Sequence, residues 1–468
     1  MHDSLNQQNW RREKPVAWIM LVVGLSFLCR LDALPAVGEE GRWARGAVQM
    51  LETGDWIVPR QQGQIFPERP PSNSWAMAAV GAIRGDVDLA AIRLPSALAI
   101  VATAVLIYAY ARAFLSQLGA LAAAIAYATG GQVLQIGRHG ESEAIFTLLV
   151  SASLLLWHYG YAHGWSRVRM WSTGYACMGV AALTKGPQAP VYFIAVTCCY
   201  AGLVRRDWRA VLCWGHLAGV LTAAAIIGAW QIPFYLMTDW ESVSATWTGL
   251  AGDRFQLDGL LKHIALYPLE TFACLLPWSP LLIALVYPPF RRRLGSVHGM
   301  LPFIVTALVV TYPTVWFASA ARGRYFMPLY PCLALLIGSV IEACVAEQAG
   351  SWGRLNWRNF LIGTAVAAVG GGCAVLAISL ATDRQPLAAA LPPALAICFL
   401  IASVTAAGVL IWCRRNVSPP TAQTAILTLA LLLGLVYDGI VISIAAASWN
   451  NPTATIAKLK SGLPGRGK

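Results

Sequence analysis

Glu39 and Glu40 stand side by side where the chain leaves its first long apolar stretch, and the text Arg138-His139-Gly140-Glu141-Ser142-Glu143 marks the end of a later one. A carboxylate at such a place can take a proton from a hydroxyl. It can also simply favour a helix dipole, at about 0.3–1 kcal/mol. The segment that follows Glu39 has helical spacing, with Trp43, Ala47, Met50 and Leu51 on one face and Arg42, Arg45, Gln49 and Glu52 on the other. That pattern predicts an amphipathic helix lying along a membrane surface, with the carboxylates at its start.

The elements that must position these groups are set by composition. With 57% hydrophobic and 12% charged residues in 468, the chain is no string of water-soluble domains. Apolar runs of about 18 or more residues recur from Val16 to Trp449, each long enough to cross a bilayer as a helix. Hydropathy predicts an all-α integral membrane protein of about thirteen spans. They begin near Val16, Ala91, Leu118, Ala144, Met170, Pro187, Ala210, Ile264, Leu301, Phe326, Phe360, Leu387 and Ala422. Residues 1–449 read as one multispanning domain, with a large first loop at 31–90 and a short tail at 450–468. The eleven cysteines lie in or beside apolar segments without C-x-x-C spacing and read as small core residues.

The formal charge of +12 raises nucleic acid as a partner, but the basic residues sit in short connections rather than on one face. Nucleic acid is set aside. Arg112, Arg167 with Arg169, Arg205 with Arg206 and Arg209, Arg291 to Arg293, Arg354 with Arg358, and Arg414 with Arg415 all fall on one side. By the positive-inside rule that side is cytoplasmic, together with the N-terminus. The basic tail, with Lys458, Lys460, Arg466 and Lys468, is the local exception. The long connections with mixed charge, aromatics and proline, 31–90 and roughly 237–263, are then extracytoplasmic, and chemistry is expected there.

The first of these loops carries several motifs in register. Gly38 to Arg60 reads G-E-E-G-R-W-A-R-G-A-V-Q-M-L-E-T-G-D-W-I-V-P-R, Gln61 to Trp75 reads Q-Q-G-Q-I-F-P-E-R-P-P-S-N-S-W, and R-L-P-S-A-L runs from Arg93 to Leu98. This text resembles the first extracytoplasmic loop of the lipid-A 4-amino-4-deoxy-L-arabinose transferase and protein mannosyltransferase group. These are multispanning glycosyltransferases of the GT-C type that use polyprenyl-phosphate sugars. Ala182-Leu183-Thr184-Lys185-Gly186-Pro187 resembles the family's Leu-Thr-Lys-Gly-Pro turn. His263 with Leu276-Pro277-Trp278-Ser279, and Arg324-Tyr325 with Pro328 and Pro331, resemble later family segments. The likeness runs from about Val16 to Leu336.

The resemblance implies a site. Glu39 matches the family's proposed base and Glu143 its second acidic position, each a Glu where the relatives usually have Asp. Arg42, Arg69, Lys185, Arg324 and Tyr325 match positions around the donor phosphate, Arg69 standing where Lys is common, which keeps the charge but changes its geometry. Glu68 and His263 match what resembles a divalent-metal pair in some relatives, so the cofactor expectation is a possible divalent ion and nothing else. The implied partners are a polyprenyl-phosphate sugar donor, a lipid or protein acceptor and membrane lipids, and the implied location is a bacterial inner membrane. The chemistry is self-consistent: such a donor already has a good leaving group, so cations, a carboxylate and a dry groove suffice. The chain has neither Walker A nor Rossmann text, as suits a donor delivered within the membrane. A transporter or flippase for a lipid-linked sugar fits the span number equally, although no internal repeat is visible. The two Glu-for-Asp changes also allow an inactive homologue acting as a scaffold.

Overall fold

The structure is a computed structural model that describes residues 15–61, 63–67, 69–248, 259–297, 299–346, 350–381 and 390–448. The predicted tail at 450–468, the predicted span start at Leu387 and the candidate ligand Glu68 lie outside the described residues. After α1 (Pro15–Leu28) the first loop folds as α2 (Glu40–Thr53), a two-stranded ribbon of β1 (Arg60–Gln61) and β2 (Gln64–Ile65), and α3 (Ser72–Arg84). There follow α4 (Leu89–Ala111), α5 (Gln117–Ala128), the short α6 (Gly131–Ile136), α7 (Glu143–Ala162), α8 (Arg167–Lys185) and α9 (Gln188–Cys198), which runs into a π-helix. Then come α10 (Trp208–Val211), α11 (Trp214–Met237), α12 (Trp240–Thr248), α13 (Leu260–Cys274), a 3-10 segment (Ser279–Val286) and α14 (Pro288–Val297). The chain finishes with α15 (Leu301–Thr311), α16 (Pro313–Trp316), a 3-10 turn (Gly323–Leu329) leading into α17 (Tyr330–Val345), α18 (Ser351–Ala381), α19 (Pro393–Arg415), α20 (Pro419–Leu435), a π-helix (Val436–Val441) and α21 (Ile442–Ser448).

Helices dominate because every backbone group inside a bilayer must be paired within its own segment. Seven described helices are long and apolar enough to span, eight if the pair Leu260–Cys274 and Ser279–Val286, bent by 116°, counts as one. Four shorter apolar helices begin at Pro15, Gln117, Gln188 and Leu301. Thirteen spans is therefore more than length and apolarity alone support. The helices pair by close contact of small residues. At Gly338 of α17 a side chain would lie 2.5 Å from the carbonyl of Gly119, so α5 and α17 cross at backbone distance.

The first loop has a core of its own. Trp43, Ala47 and Met50 of α2 are buried against Met77 and Ala78 of α3 and Ile92 of α4, so the apolar stripe of α2 is covered by protein. The ribbon side of the loop packs elsewhere: Val58 joins Leu183 at the end of α8, Trp230 and Phe234 of α11, and Val243 of α12. Trp230 also donates its indole N–H to the Ile57 carbonyl at 2.9 Å. The loop is thereby drawn over the ends of α7 and α8. Those are the helix ends remote from the arginine turns, since Arg167 and Lys185 terminate the same 19-residue helix, about 27 Å apart.

Candidate active site

Glu40, not Glu39, is the buried member of the acidic pair. Successive helical residues point about 100° apart, so one carboxylate turns into the protein and the other out. Glu40 is fully buried. Its carboxylate meets Arg93 in a two-pronged pair, 2.8 Å from Nε and 2.9 Å from Nη2. It also accepts the N–H groups of Val37 at 2.8 Å and Gly140 at 2.7 Å. Arg93 spends its remaining donors on the carbonyls of Leu31, Leu34 and Pro35. Burial works against ionisation of Glu40, but the guanidinium and the two N–H groups outweigh it and hold the carboxyl below its ordinary value. This cluster fastens the first loop to α4 and to the turn before α7.

That turn carries the second acidic group. Arg138 is buried, pairs with Asp438 at 2.9 Å, and donates to the carbonyls of Ser26, Cys29 and Arg30, which ties the turn to the first and last spans. Asn73 holds the Gly140 carbonyl at 3.3 Å, and Ser74 holds that of Trp43 at 3.1 Å. Asn73 and Ser74 therefore stitch α3 to this turn and to α2. Glu141, which the sequence reading passed over, points toward the first loop and receives the backbone N–H of Glu39. Gly38 makes the approach possible: its φ is +58°, and a Cβ there would lie 2.5 Å from the Glu141 carboxylate.

Two cations close the arrangement. Arg324 lies 2.5 Å from Glu141 and 3.7 Å from Glu143, and Lys185 lies 2.8 Å from Glu143. The Tyr325 ring is 5.2 Å from the Lys185 ammonium and 5.8 Å from the Arg324 guanidinium. Glu141 and Glu143 are buried, as is the Lys185 side chain, while that of Arg324 keeps 21% of its surface open. The Glu141 carboxyl is pushed above its ordinary value by burial and by the charge of Glu143, with Arg324 and Lys185 opposing.

Of the residues singled out in the sequence, Glu143, Lys185, Arg324 and Tyr325 thus converge, with Glu39 reaching the group through its backbone. The Glu39 side chain is half-exposed and pairs with Arg42 at 2.8 Å, and Arg42 in turn faces the Phe66 ring at 5.4 Å. Arg69 is half-buried at the turn into α3, the helix that holds Gly140 through Asn73. His263 lies elsewhere, its Nε2 hydrogen-bonded to the Val315 carbonyl at 3.1 Å and its ring 4.7 Å from that of Tyr267. Among the described residues no group of three His, Cys, Asp or Glu is placed to hold a metal ion. His263 alone does not constitute such a site. Glu141 and Glu40 carried a faint sequence signal: each is one of two acids within three positions, and spacing alone does not say which faces inward.

Chemically, this is a buried carboxylate-cation array beneath a folded loop, with one half-exposed carboxylate at its edge. Arg324, shared by two carboxylates and with 21% of its side chain open, is the cation of the group that an incoming anion can reach while Glu141 and Glu143 stay paired.

Residues 68–231, less than half the chain, match the dolichyl-phosphate-mannose-protein mannosyltransferase family. An undecaprenyl phosphate-alpha-4-amino-4-deoxy-L-arabinose arabinosyl transferase of Pseudomonas aeruginosa is 29% identical over 346 residues, 70% of this chain and 60% of the relative. The enzyme of that name from Edwardsiella ictaluri is 27% identical over 78% of this chain and 66% of its own length. The chain thus spans about 60% of the length of the Pseudomonas relative. Among solved structures, ArnT from Cupriavidus metallidurans bound to undecaprenyl phosphate superposes with a TM-score of 0.70 at 19% identity, covering 96% of this chain and 81% of that one. The arabinosyltransferase EmbB of Mycobacterium smegmatis superposes at 0.53 with 15% identity, over 97% of this chain and 43% of its own. The chain has the GT-C membrane glycosyltransferase fold and resembles the 4-amino-4-deoxy-L-arabinose transferase group.

Proposed function

We propose that this chain is an inverting glycosyltransferase that moves a sugar from a polyprenyl-phosphate donor to an envelope acceptor on the extracytoplasmic face of a bacterial inner membrane. The observation that carries the reading is the interleaving of Glu141 and Glu143 with Arg324 and Lys185 under a loop whose edge bears Glu39. The relatives favour undecaprenyl phosphate-linked 4-amino-4-deoxy-L-arabinose as the first donor to try. The acceptor is a hydroxyl or phosphate oxygen of lipid A, another glycan or a protein.

In this reading Arg324 and Lys185 hold the donor phosphate, with Arg42 and Arg69 contributing from the loop. The acceptor oxygen attacks the anomeric carbon, the bond from that carbon to the phosphate oxygen breaks, and its electron pair leaves with polyprenyl phosphate. Glu39, the half-exposed carboxylate, takes the acceptor's proton. Glu141 and Glu143 orient the cations and balance them before the donor arrives. The arginine-rich turns at the opposite helix ends support the extracytoplasmic assignment.

The test is release of undecaprenyl phosphate from that donor by protein reconstituted in nanodiscs with lipid A. Loss of release in Glu39→Gln and Arg324→Gln, with both variants folded, supports the assignment. Unchanged turnover in both overturns it, and movement of intact donor across a vesicle bilayer without transfer would replace it by a transporter.

A further inference from the structure

The reach of Arg324 depends on where its backbone stands, and side chains outside the ionic group hold that backbone from several directions. Gly323 opens the 3-10 turn, and the first N–H groups of a helical turn have no partner within it. Glu270 of α13 supplies one: its Oε1 accepts the Gly323 N–H at 2.6 Å. Tyr330 of α17 donates its hydroxyl to the Gly323 carbonyl at 2.9 Å, and Tyr267 of α13 donates to the Arg322 carbonyl at 3.3 Å. Gln188 of α9 donates to the Tyr325 carbonyl at 3.4 Å. The approach is close because residue 323 is glycine. A Cβ there would lie 2.6 Å from Cys274 Sγ and 3.1 Å from Glu270 Oε1. Cys274 is itself held, donating to Gln132 of α6 at 3.3 Å.

Glu270 differs from the other residues of this clamp. Tyr267 and Tyr330 are buried and neutral, whereas Glu270 is an exposed carboxylate. It is also the only charged residue from Ile264 to Val286, and an acid in so apolar a stretch is costly to hold. Among the described residues the Gly323 N–H is its one hydrogen-bond donor, and no cation pairs with it. A hydrogen bond to an ionised group is about twice as strong as one between neutral groups, so Glu270 makes the firmest of these contacts.

We propose that Glu270 is a positioning residue for Arg324. By fixing the Arg322–Gly323 peptide it sets the point from which the guanidinium reaches Glu141 at 2.5 Å and Glu143 at 3.7 Å. Glu270 acts through the main chain and not by contact with the donor. Its effect on donor binding rests on the sugar-transfer reading; its effect on the placement of Arg324 does not.

The test reads Arg324 directly. The full chain in nanodiscs, without donor, is treated with phenylglyoxal, which modifies guanidinium groups, and the rate at Arg324 is followed by peptide mass spectrometry. Arg324 of the wild type, paired and mostly covered, should react slowly. Glu270→Ala should raise its rate roughly tenfold, the scale of one lost charge-assisted hydrogen bond. Glu270→Gln, whose amide oxygen still accepts an N–H, should restore most of the protection. The rate at the buried Arg93 should stay as in the wild type, which separates release of Arg324 from general loosening. Tyr330→Phe loosens the same peptide from its carbonyl side and decides the matter if melting shows that Glu270→Ala does not fold. Labelling of Arg324 at the wild-type rate in the folded variant overturns the proposal. Binding of undecaprenyl phosphate is measured beside it and should weaken about tenfold in Glu270→Ala, with no further loss when Glu270→Ala is added to Arg324→Gln. A wild type that does not bind undecaprenyl phosphate, or binding that Glu270→Ala leaves unchanged, counts against the sugar-transfer reading, and the labelling still decides the positioning.

Discussion

Arg324 and Glu141 meet at 2.5 Å across 183 residues of sequence, and the same guanidinium reaches Glu143 at 3.7 Å. One cation is thus shared by two carboxylates that would otherwise repel each other beneath the first loop. Arg324→Gln removes that mediator. We expect transfer to fall at least 100-fold and melting to drop, because breaking a buried pair from one side costs about 3–5 kcal/mol. Arg324→Lys should recover much of the melting temperature and little of the turnover, since a point charge cannot serve both carboxylates at once. Thermal unfolding followed beside product release checks both.

Lys185 and Glu143 should behave as a unit. Lys185→Met leaves the buried Glu143 carboxylate only its longer contact with Arg324 and is expected to destabilise by up to about 3–5 kcal/mol, whereas Lys185→Met with Glu143→Leu should restore most of the stability and none of the transfer. A double-mutant cycle on melting and rate together separates the two effects; additive melting losses would count against the pairing.

Glu141 titrates above the ordinary carboxyl value of 4.5 because it is buried and faces Glu143. A raised folded-state value means that this group stabilises the fold fully below its unfolded value and loses that contribution as pH rises through the folded one. The melting difference between the wild type and Glu141→Gln should therefore shift in favour of the wild type as pH falls toward 4.5. A difference independent of pH would show that Glu141 does not titrate in this range.

Glu40 has the opposite sign. Its value lies below 4.5 despite burial, so its contribution is present above that pH and disappears only as pH falls through the lower folded value. Glu40→Gln should leave Arg93 buried beside a neutral partner and expose residues 31–90 to protease at neutral pH. In the wild type the same cleavage should appear only in stronger acid.

A divalent ion at Glu68 and His263 makes a separate prediction. If such an ion takes part, chelation should lower turnover and His263→Ala should mimic the loss; turnover that survives both would remove the metal from the mechanism. His263→Ala should in either case cost little stability, since it forfeits one hydrogen bond, about 1 kcal/mol.

The sequence made the amphipathic α2 and the all-helical membrane architecture legible, through periodicity and hydropathy, and family text singled out Glu143 and Lys185 without pairing them. It hid what depends on direction. Glu39 and Glu40 are adjacent letters, yet one anchors Arg93 and the other faces outward. Glu141 drew no notice because its partner Arg324 stands 183 positions away. The span count is not settled by length and apolarity: a hydropathy window registers apolar stretches, whereas the described helices include four short ones and a pair bent by 116° between Cys274 and Ser279.

The binding partners of Glu40 are synthesised late. Gly140 leaves the ribosome 100 residues after it, roughly 5–20 s at ordinary elongation rates. Throughout that interval the nascent first loop carries an acidic side chain with an incomplete set of donors, while later helices are still being inserted. Any mutation that slows insertion of the helix after Gly140 would lengthen that interval.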